Sequence, residues 1–327
     1  MGIYSASDKN YTPGQIVYHY CNLDVFTKII KHSKLRLANI VKSNDESEIK
    51  YGLDIFQQAS YRTIRRLARK LKIPELIDFS DSFDFESYFL NILEVSNLAY
   101  YAVCFSTNGD LLSQWRGYAN NGNGVALGFN TSYFKPFTST EKKFIEFRKV
   151  DYSEKLLTAP IMEYLESNFR DIFLKEKIIP SDYESVLSQL LTKAVYSSVF
   201  FKHPAFEEEG EFRLVYFPFG NIRSLKVRNY NTISSDNDRF LERMREVTQN
   251  STSYENFERS PPSFFTRENQ LVSYVDLSFE RIKALFLSEI VLGPKTDIYD
   301  NDLRMFLDAN GYDVDKTKIT RSTAPYR

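Results

Sequence analysis

Residues Glu207 to Phe217 read EEEGEFRLVYF and combine an acidic run with an apolar strand pattern. Acidic residues are depleted in strands, whereas aromatic and β-branched residues are enriched there. We therefore expect a polar loop that leads into a buried strand, with Glu209 and Glu211 at the strand entrance. Carboxylates held against an apolar wall in this way are common in catalytic clefts, so this segment is the first candidate site.

Side chains alternate between the two faces of a strand, and this separates the members of the acidic run. The core face would consist of Phe212, Leu214 and Tyr216. If the segment is extended throughout, Glu209, Glu211 and Arg213 share the other face, and the arginine keeps a neighbouring carboxylate ionised. Glu207 and Glu208 would face solvent. The pattern indicates either a surface ion pair at a strand edge or a Glu–x–Glu pair that stabilises developing positive charge.

The composition excludes several classes of protein. The 327 residues carry a formal net charge of -1, with 43% hydrophobic and 15% aromatic residues. This length allows one large domain or two ordinary ones, and the balanced charge restricts any nucleic-acid site to a local patch. Cys21 and Cys104 suggest neither a disulfide framework nor a zinc site, which favours a reducing cytoplasm. No apolar run approaches the ~18 residues of a membrane span, so we expect no membrane association.

The order of the predicted elements favours an α+β fold, because strands and helices do not alternate regularly. Strands are expected at 16–20, 101–106, 125–129, 143–152, 211–217, 222–227, 273–277 and 286–292, with a last edge strand in 318–327. Helices are expected after the capping residues Asn22 and Ser43, and at 83–97 and 300–310, and the polar stretch 229–263 is expected to be a helix flanked by loops. We expect a single α+β domain over residues 1–327, with helical insertions at about 50–97 and 154–201.

The loop of residues 106–124, STNGDLLSQWRGYANNGNG, contains the only tryptophan of the chain. Trp115, Arg116 and Tyr118 are planar side chains in a polar loop between two strands, which suits a ring-bearing ligand held by stacking and hydrogen bonds. The alternative is a tryptophan that anchors a long loop. Gly122 and Gly124 are not followed by the helix that a dinucleotide-binding fingerprint requires, so a Rossmann fold is rejected.

His19 lies in a strand pattern that places it on one face with Val17 and Cys21. It is either a hydrogen-bonded structural histidine or a catalytic one. A nucleophilic pair of Cys21 and His19 has no third residue to orient the base.

A basic cluster offers a different kind of site. Arg62, Arg65, Arg66 and Arg69 fall within one predicted helix, and residues 62–72 contain no acidic residue. Such a helix could contact the phosphates of a nucleic acid. The alternative is a solvated helix face, favoured by the dipole at the helix C-terminus.

Short motifs occur in a defined order along nearly the whole chain. They are YHY at Tyr18 to Tyr20, Asn44-Asp45 with Glu48, Phe105-Ser106, Trp115, Tyr118, 124–129, Lys202, Phe206, Glu209, Glu211, Arg213, and Ser322 with 325–327. In this order they resemble a bacterial family known as domain of unknown function 2971. The family often has tryptophan at the position of Phe206, and Ser-His at the positions of Arg116 and Gly117.

A weaker resemblance implies an activity. YHY on an early strand, followed by a helix, is similar to the first motif of histidine-type ADP-ribosyltransferases, and EFRLVY is similar to their last motif. This resemblance implies a mixed, mostly antiparallel split sheet, NAD as the substrate and no metal. His19 would hold the adenine-side ribose hydroxyl, and Tyr118 or Trp115 would stack on nicotinamide. The resemblance also implies that Tyr20, Ser106 and Arg213 line the NAD site.

The same resemblance gives the carboxylates their roles. Glu211 would bind the 2′-hydroxyl of the nicotinamide ribose, and Glu209 would face the acceptor as a general base. Cleavage of the glycosidic bond leaves an oxocarbenium-like ribose, which a nearby carboxylate stabilises in the transition state. We therefore expect an NAD-consuming enzyme that transfers ADP-ribose to an unknown protein or nucleic-acid acceptor, and family-level association suggests a bacterial toxin or antiphage defence effector. The alternatives are a nucleic-acid-binding or nucleic-acid-processing module that uses residues 62–72, and a non-catalytic nucleotide sensor.

Overall fold

The structure is a computed structural model that describes most of the chain. The described residues are 12–40, 46–74, 77–78, 100–137, 145–173, 186, 190, 194, 197–217, 252–253, 256–267 and 269–326. The described strands are β1 (Ile16–Cys21), β2 (Lys34–Asn39), β3 (Tyr101–Ser106), β4 (Val125–Asn130), β5 (Ile145–Lys149), β6 (Glu211–Tyr216), β7 (Thr252–Ser253), β8 (Glu258–Arg259), β9 (Ser263–Arg267), β10 (Gln270–Ser278), β11 (Leu287–Leu292) and β12 (Lys318–Arg321). The described α-helices are α1 (Leu23–His32), α2 (Glu46–Leu71), α3 (Leu112–Gly117), α4 (Glu154–Phe173), α5 (Lys283–Phe286) and α6 (Asp300–Ala309).

These strands form one mostly antiparallel sheet. Its main path runs in the order β12-β11-β4-β1-β3-β2-β10-β8-β7, while β6 pairs with β3, β5 with β6 and β9 with β10. Among these strand pairs only β11 and β12 run parallel. The structure therefore confirms a mixed α and β fold with a mostly antiparallel sheet. Whether the chain is a single domain stays a prediction.

Strand β3 is the junction of the sheet. It pairs with β6 along its whole length, from Tyr101 opposite Tyr216 to Ser106 opposite Glu211. Its pairing with β1 is limited to Tyr18 opposite Ser106, and β2 contacts it only at Ala102 and Tyr101. Because β6 occupies one edge of β3 along its whole length, β1 and β2 share the other edge, β1 at the end of β3 and β2 at its beginning, and the sheet splits between β1 and β2.

The main core covers one face of the sheet and is built largely from aromatic rings. Phe105 of β3 and Phe147 of β5 lie edge to face with ring centroids 6.1 Å apart, and Phe147 stacks on Phe134 and Phe212 at 4.2 and 5.2 Å. Each buried phenylalanine stabilises the fold by roughly 1.5–3 kcal/mol relative to an exposed one. The predicted core face of β6, Phe212, Leu214 and Tyr216, belongs to this cluster. That prediction is confirmed.

The long helices α2 and α4 form a second apolar cluster. Its members include Phe56, Ile64 and Leu67 of α2, Ile161, Leu165 and Phe169 of α4, and residues 186, 190 and 194. A smaller cluster joins Ile55 and Leu157 of these helices to Phe201. The predicted helical insertions therefore pack on each other and reach the segment immediately before Lys202.

Local signals placed several elements correctly. Asn22 caps α1 as predicted, since its side chain accepts a hydrogen bond of 2.8 Å from the Val25 amide. Gly311 follows α6 with a φ of 74°, the left-handed conformation expected of a residue that closes a helix. The cap at Ser43, the helix at 83–97 and the strand at 222–227 lie outside the described residues. Much of 229–263 also lies outside the described residues. In its described part, the prediction of a helix flanked by loops is wrong, because this part contains β7 and β8.

Candidate active site

A tight turn separates the acidic run from β6. Residues Pro204–Glu209 form a 3-10 helix, and Gly210 follows with a φ of 50°. A Cβ atom at position 210 would lie 2.2 Å from Oγ1 of Thr107, so the turn requires glycine both for its backbone and for its space. The segment is therefore not extended from Glu209 to Arg213: Glu209 belongs to the polar loop before the strand and Glu211 begins the strand, so both lie at the strand entrance as predicted.

Glu209 and Glu211 nevertheless meet at a shared cation. Nζ of Lys202 lies 2.6 Å from Oε2 of Glu209 and 3.4 Å from Oε2 of Glu211. Arg213 donates from Nε to Oε1 of Glu211 at 2.7 Å and from Nη2 to Oε2 at 3.1 Å. Two carboxylates thus face two cations. We call these four residues the ion network.

The ion network is buried. Its members expose at most 8% of their surface, and Arg213 exposes none. Burial alone would raise the pKa of Glu211, but the charge and hydrogen bonds of Arg213, the charge of Lys202 and a hydrogen bond with Cys104 outweigh it and lower the pKa to about 2. Glu211 is therefore ionised throughout the physiological pH range. The interpretation as a surface ion pair is excluded for this group.

Backbone contacts hold the ion network in place from three directions. Nη1 of Arg213 donates to the Val199 carbonyl at 2.7 Å, and the Glu211 amide donates to the Tyr152 hydroxyl at 2.9 Å. Ser106, at the end of β3, donates from Oγ to the Glu209 carbonyl at 2.7 Å. Ser106 therefore lies beside the carboxylates as predicted, but it contacts the backbone of the turn. Glu207 and Glu208 are exposed, as predicted, and both lie in the 3-10 helix before the strand.

His19 lies on the other face of the sheet. Tyr18 pairs with Ser106, which pairs with Glu211, so alternation along β1 turns His19 away from Glu211. Its ring lies edge to face with Phe105 of the core, and Nδ1 donates to the Cys104 carbonyl at 3.0 Å. Burial lowers the pKa of His19 more than this hydrogen bond raises it, so the imidazole is neutral at pH 7. The structure does not bring His19 and Glu211 together.

The other residue of the suggested nucleophilic pair, Cys21, is buried at the end of β1. Burial raises the pKa of its thiol to about 12. A thiol with this pKa is not a nucleophile at neutral pH, because the thiolate is the reactive form.

The aromatic candidates differ in exposure. Trp115 is fully buried, donates from Nε1 to Asp110 at 2.7 Å and lies edge to face with Tyr20 at 4.7 Å. These contacts agree with the alternative interpretation, in which Trp115 anchors the loop. Tyr118 is 50% exposed, so of these two rings it is the one a ligand can reach. Tyr20 is also buried, and its hydroxyl donates to the Asn108 carbonyl at 2.8 Å.

The basic helix presents its arginines to solvent. Arg62, Arg65, Arg66 and Arg69 are all exposed, on the face of α2 opposite its apolar cluster. Arg66 pairs with Glu166 of α4, and Nε of Arg62 donates to the Gln58 carbonyl at 3.2 Å. This placement fits a solvated helix face, and the nucleic-acid interface stays a prediction.

Three residues of this region had no role predicted from the sequence. Lys202 appeared only as part of a family motif, and Tyr152 and Asp110 were not singled out. A lysine before an acidic run carries little information, because its carboxylate partners are set by the turn at Gly210. Asp110 had a signal that could have been used, since it precedes the single tryptophan by five residues in a polar loop.

The described residues show neither a metal site nor a membrane span. No group of three or more His, Cys, Asp or Glu residues within the described ranges is arranged to hold a metal ion. Across the same part of the chain, the helices lack the combination of length and apolar character that is needed to cross a membrane.

Comparison with known proteins gives a family match over the centre of the chain. No curated protein and no solved structure matches it. The matched residues include Trp115, Tyr118, Lys202 and the whole of the acidic motif through Arg213, whereas YHY and the motif at Ser322 lie outside them. Residues 114–214 match the family described as Protein of unknown function (DUF2971), which supports the family resemblance carried by the sequence motifs.

Proposed function

We propose that this protein cleaves the nicotinamide–ribose bond of NAD and transfers ADP-ribose to a protein or nucleic-acid acceptor. The observation that carries the proposal is the buried, ionised Glu211 at the entrance of β6. An oxocarbenium-like ribose is stabilised by a carboxylate that is already ionised and oriented before the reaction. Arg213 and Lys202 hold Glu211 in that state.

The two oxygens of Glu211 are not equivalent. Oε1 accepts the short hydrogen bond of 2.7 Å from Nε of Arg213. Oε2 makes longer contacts, 3.1 Å to Nη2 of Arg213 and 3.4 Å to Lys202. A ribose hydroxyl would therefore donate to Oε2, where the existing contacts are weakest. The 2′-hydroxyl contact implied by the resemblance to ADP-ribosyltransferases would then fall on this one oxygen.

Glu209 would act on the acceptor. Its Oε2 is held by Lys202 at 2.6 Å, and the exposed ring of Phe206 lies 4.7 Å from the same ammonium group. As a general base Glu209 would have to exchange its contact with Lys202 for the proton of the acceptor. The turn that carries it opens toward the exposed residues 203–208, which is the side from which a large acceptor could approach.

The remaining parts of the proposed site follow from exposure and face. Tyr118 offers its half-exposed ring for stacking on nicotinamide. His19 lies on the opposite face of the sheet from Glu211, so it is left out of the proposed NAD site. The proposal therefore rests on Glu211 and Tyr118, and His19 is expected to join β1 to β3 through its hydrogen bond to the Cys104 carbonyl.

The test is release of nicotinamide from NAD by the purified full-length chain, with mixed protein and nucleic-acid acceptors present. We expect Glu211→Gln to reduce the rate by about a hundred- to a thousand-fold, the usual effect of removing one electrostatic contact to a transition state. Glu208→Gln is the matched control, since Glu208 is an exposed member of the same acidic run. We expect its rate to equal that of the unmodified protein.

One folding control and two outcomes complete the test. Circular dichroism must first show that Glu211→Gln is folded, because the substitution also removes a buried charge. Binding of NAD without turnover by the unmodified protein would replace the enzyme with a nucleotide sensor. A protein that neither binds nor cleaves NAD with any acceptor would overturn the proposal.

A further inference from the structure

The carboxylate of Asp110 gathers donors from two distant parts of the chain. Oδ1 accepts from Nε1 of Trp115 at 2.7 Å and from the hydroxyl of Ser322. Oδ2 accepts from the amide and the hydroxyl of Thr323, at 2.7 and 3.0 Å. Hydrogen bonds to a charged acceptor are about twice as strong as those between neutral groups. Asp110 therefore joins the loop between β3 and β4 to the residues that follow β12.

A second attachment lies at the other end of the same loop. Tyr326 donates from its hydroxyl to Asn121, and its ring lies 4.0 Å from Nζ of Lys295 and 5.6 Å from the guanidinium of Arg116. Asn121 has a φ of 55°, and its neighbour Asn120 has a φ of 48°. Consecutive non-glycine residues in the left-handed region are unfavourable alone, so outside contacts must maintain them.

Between these attachments the segment packs on the loop. Ala324 and Tyr326 lie against a cluster that contains Tyr20, Trp115 and Ala119. The segment starts from the sheet itself, because the Ser322 amide donates to the Leu292 carbonyl of β11 at 2.8 Å. Residues 322–326 thus cross α3 from Asp110 to Asn121 while attached to a rigid strand. We call residues 322–326 the strap.

We infer that the strap holds the loop of residues 107–124 in its folded position, and that Asp110 and Tyr326 are positioning residues for Tyr118. Tyr118 lies between the two attachments, and its own amide donates to the Gln114 carbonyl of α3 at 3.0 Å. If the attachments are removed, α3 loses its outer support and the ring of Tyr118 loses its fixed direction. The second half of this inference rests on the proposed function, in which Tyr118 stacks on nicotinamide.

The chain provides its own reporter of the strap. Trp115 is its only tryptophan and donates directly to Asp110. In Asp110→Ala and in Tyr326→Phe, we expect the Trp115 emission to shift to the red and acrylamide to quench it more strongly. Amide hydrogen exchange over residues 111–124 should accelerate by about tenfold or more in Asp110→Ala. In that variant the loop can open without breaking the charge-assisted hydrogen bonds to Asp110.

The control is Asp308→Asn, which removes the charge of an exposed aspartate on α6, outside both the loop and the strap. Its fluorescence and exchange should equal those of the unmodified protein. If both strap variants keep a normal melting temperature, emission and exchange, the inference is overturned. Tyr326→Phe removes a single hydroxyl, so it decides the question even if Asp110→Ala fails to fold.

The kinetic measurement separates this inference from the proposed function. In a folded Tyr326→Phe we expect KM for NAD to rise with little change in kcat, because substrate positioning is lost while Glu211 is intact. A change in fluorescence with no NAD turnover in any variant would support the strap and reject the proposed function. A change in fluorescence with KM unaltered would reject the positioning role of the strap.

Discussion

Lys202 is the residue on which both candidate carboxylates depend. It is 2% exposed, and its ammonium group contacts Glu209 and Glu211 at 2.6 and 3.4 Å. Arg213 engages Glu211, whereas Lys202 is the cation that joins Glu211 to Glu209. Replacing this lysine therefore affects both carboxylates of the ion network at once.

We predict that Lys202→Met destabilises the fold by about 3–5 kcal/mol, the usual cost of leaving a buried charge without its partner. The free energy of unfolding is measured by urea denaturation at pH 7. The double variant Lys202→Met with Glu209→Gln should recover part of the loss, since it removes the carboxylate that the lysine neutralises.

Lys155→Met serves as the control for Lys202→Met. Lys155 is exposed near the start of α4, so its replacement should change the free energy of unfolding by no more than ~0.5 kcal/mol. Equal effects of the two methionine substitutions would show that the network does not stabilise the fold.

At the scale of single residues, the sequence predicted which side chains face the core better than it predicted which residues they contact. Alternation correctly assigned Phe212 and Leu214 to the core, because side-chain direction follows from the strand period. It failed at Glu209, where the left-handed Gly210 interrupts the strand. Glycine occupies several backbone regions at similar energy, so its conformation is set by its surroundings.

The elements that enclose the site depend on one close approach of two backbones. Gly124 begins the return from the loop into β4, and a Cβ atom there would lie 2.1 Å from the Cys21 carbonyl and 3.0 Å from Ala119. The end of β1 can approach this turn only because position 124 has no side chain. By contrast, a Cβ atom added at Gly117, at the end of α3, would meet no neighbouring atom within 4 Å.

We predict opposite effects for these two glycines. Gly124→Ala should cost about 3 kcal/mol or more, because the new methyl group meets backbone atoms that cannot move aside. Gly117→Ala should be neutral or stabilise the protein by up to ~1 kcal/mol, because alanine favours the helix. Thermal unfolding of both variants measures the difference. Similar melting temperatures would contradict the close approach of β1 to the turn.

Elements were predicted from local patterns with good success in the described part of the chain. β1, β3, β4, β6, β10 and β11 lie within a few residues of the predicted ranges. Their neighbours in the sheet were not predictable, because pairing depends on which edges remain free when distant segments meet. The split between β1 and β2 along one edge of β3 is a consequence of that pairing.

The ion network also links stability to pH for the molecule as a whole. The pKa of Glu211 falls from its ordinary value of 4.5 to about 2 in the folded protein. A carboxylate whose pKa is lower in the folded state stabilises the fold above its unfolded pKa, and this stabilisation is lost as the pH falls toward the folded pKa. Asp110 shifts in the same direction: burial raises its pKa, but the hydrogen bonds from Ser322, Trp115 and Thr323 outweigh burial and lower it.

We predict that acidification from pH 5 to pH 2 removes about 3 kcal/mol of stability through Glu211. Urea denaturation at several pH values measures this loss. In Glu211→Gln the dependence on pH should be weaker by about that amount, and the curves of the variant and the unmodified protein should converge near pH 2. Parallel curves across this range would contradict the assigned pKa.

The strand at residues 211–216, the solvent-facing carboxylates before it and the α+β class follow from the chain's own pattern of apolar and polar residues. Periodicity and capping are local properties, so no other part of the molecule is needed to infer them. Two other contacts follow from folding alone: Lys202 meets Glu211 through the turn at Gly210, and Asp110 meets Ser322 across more than two hundred residues. These contacts depend on long-range packing, which local sequence patterns do not encode.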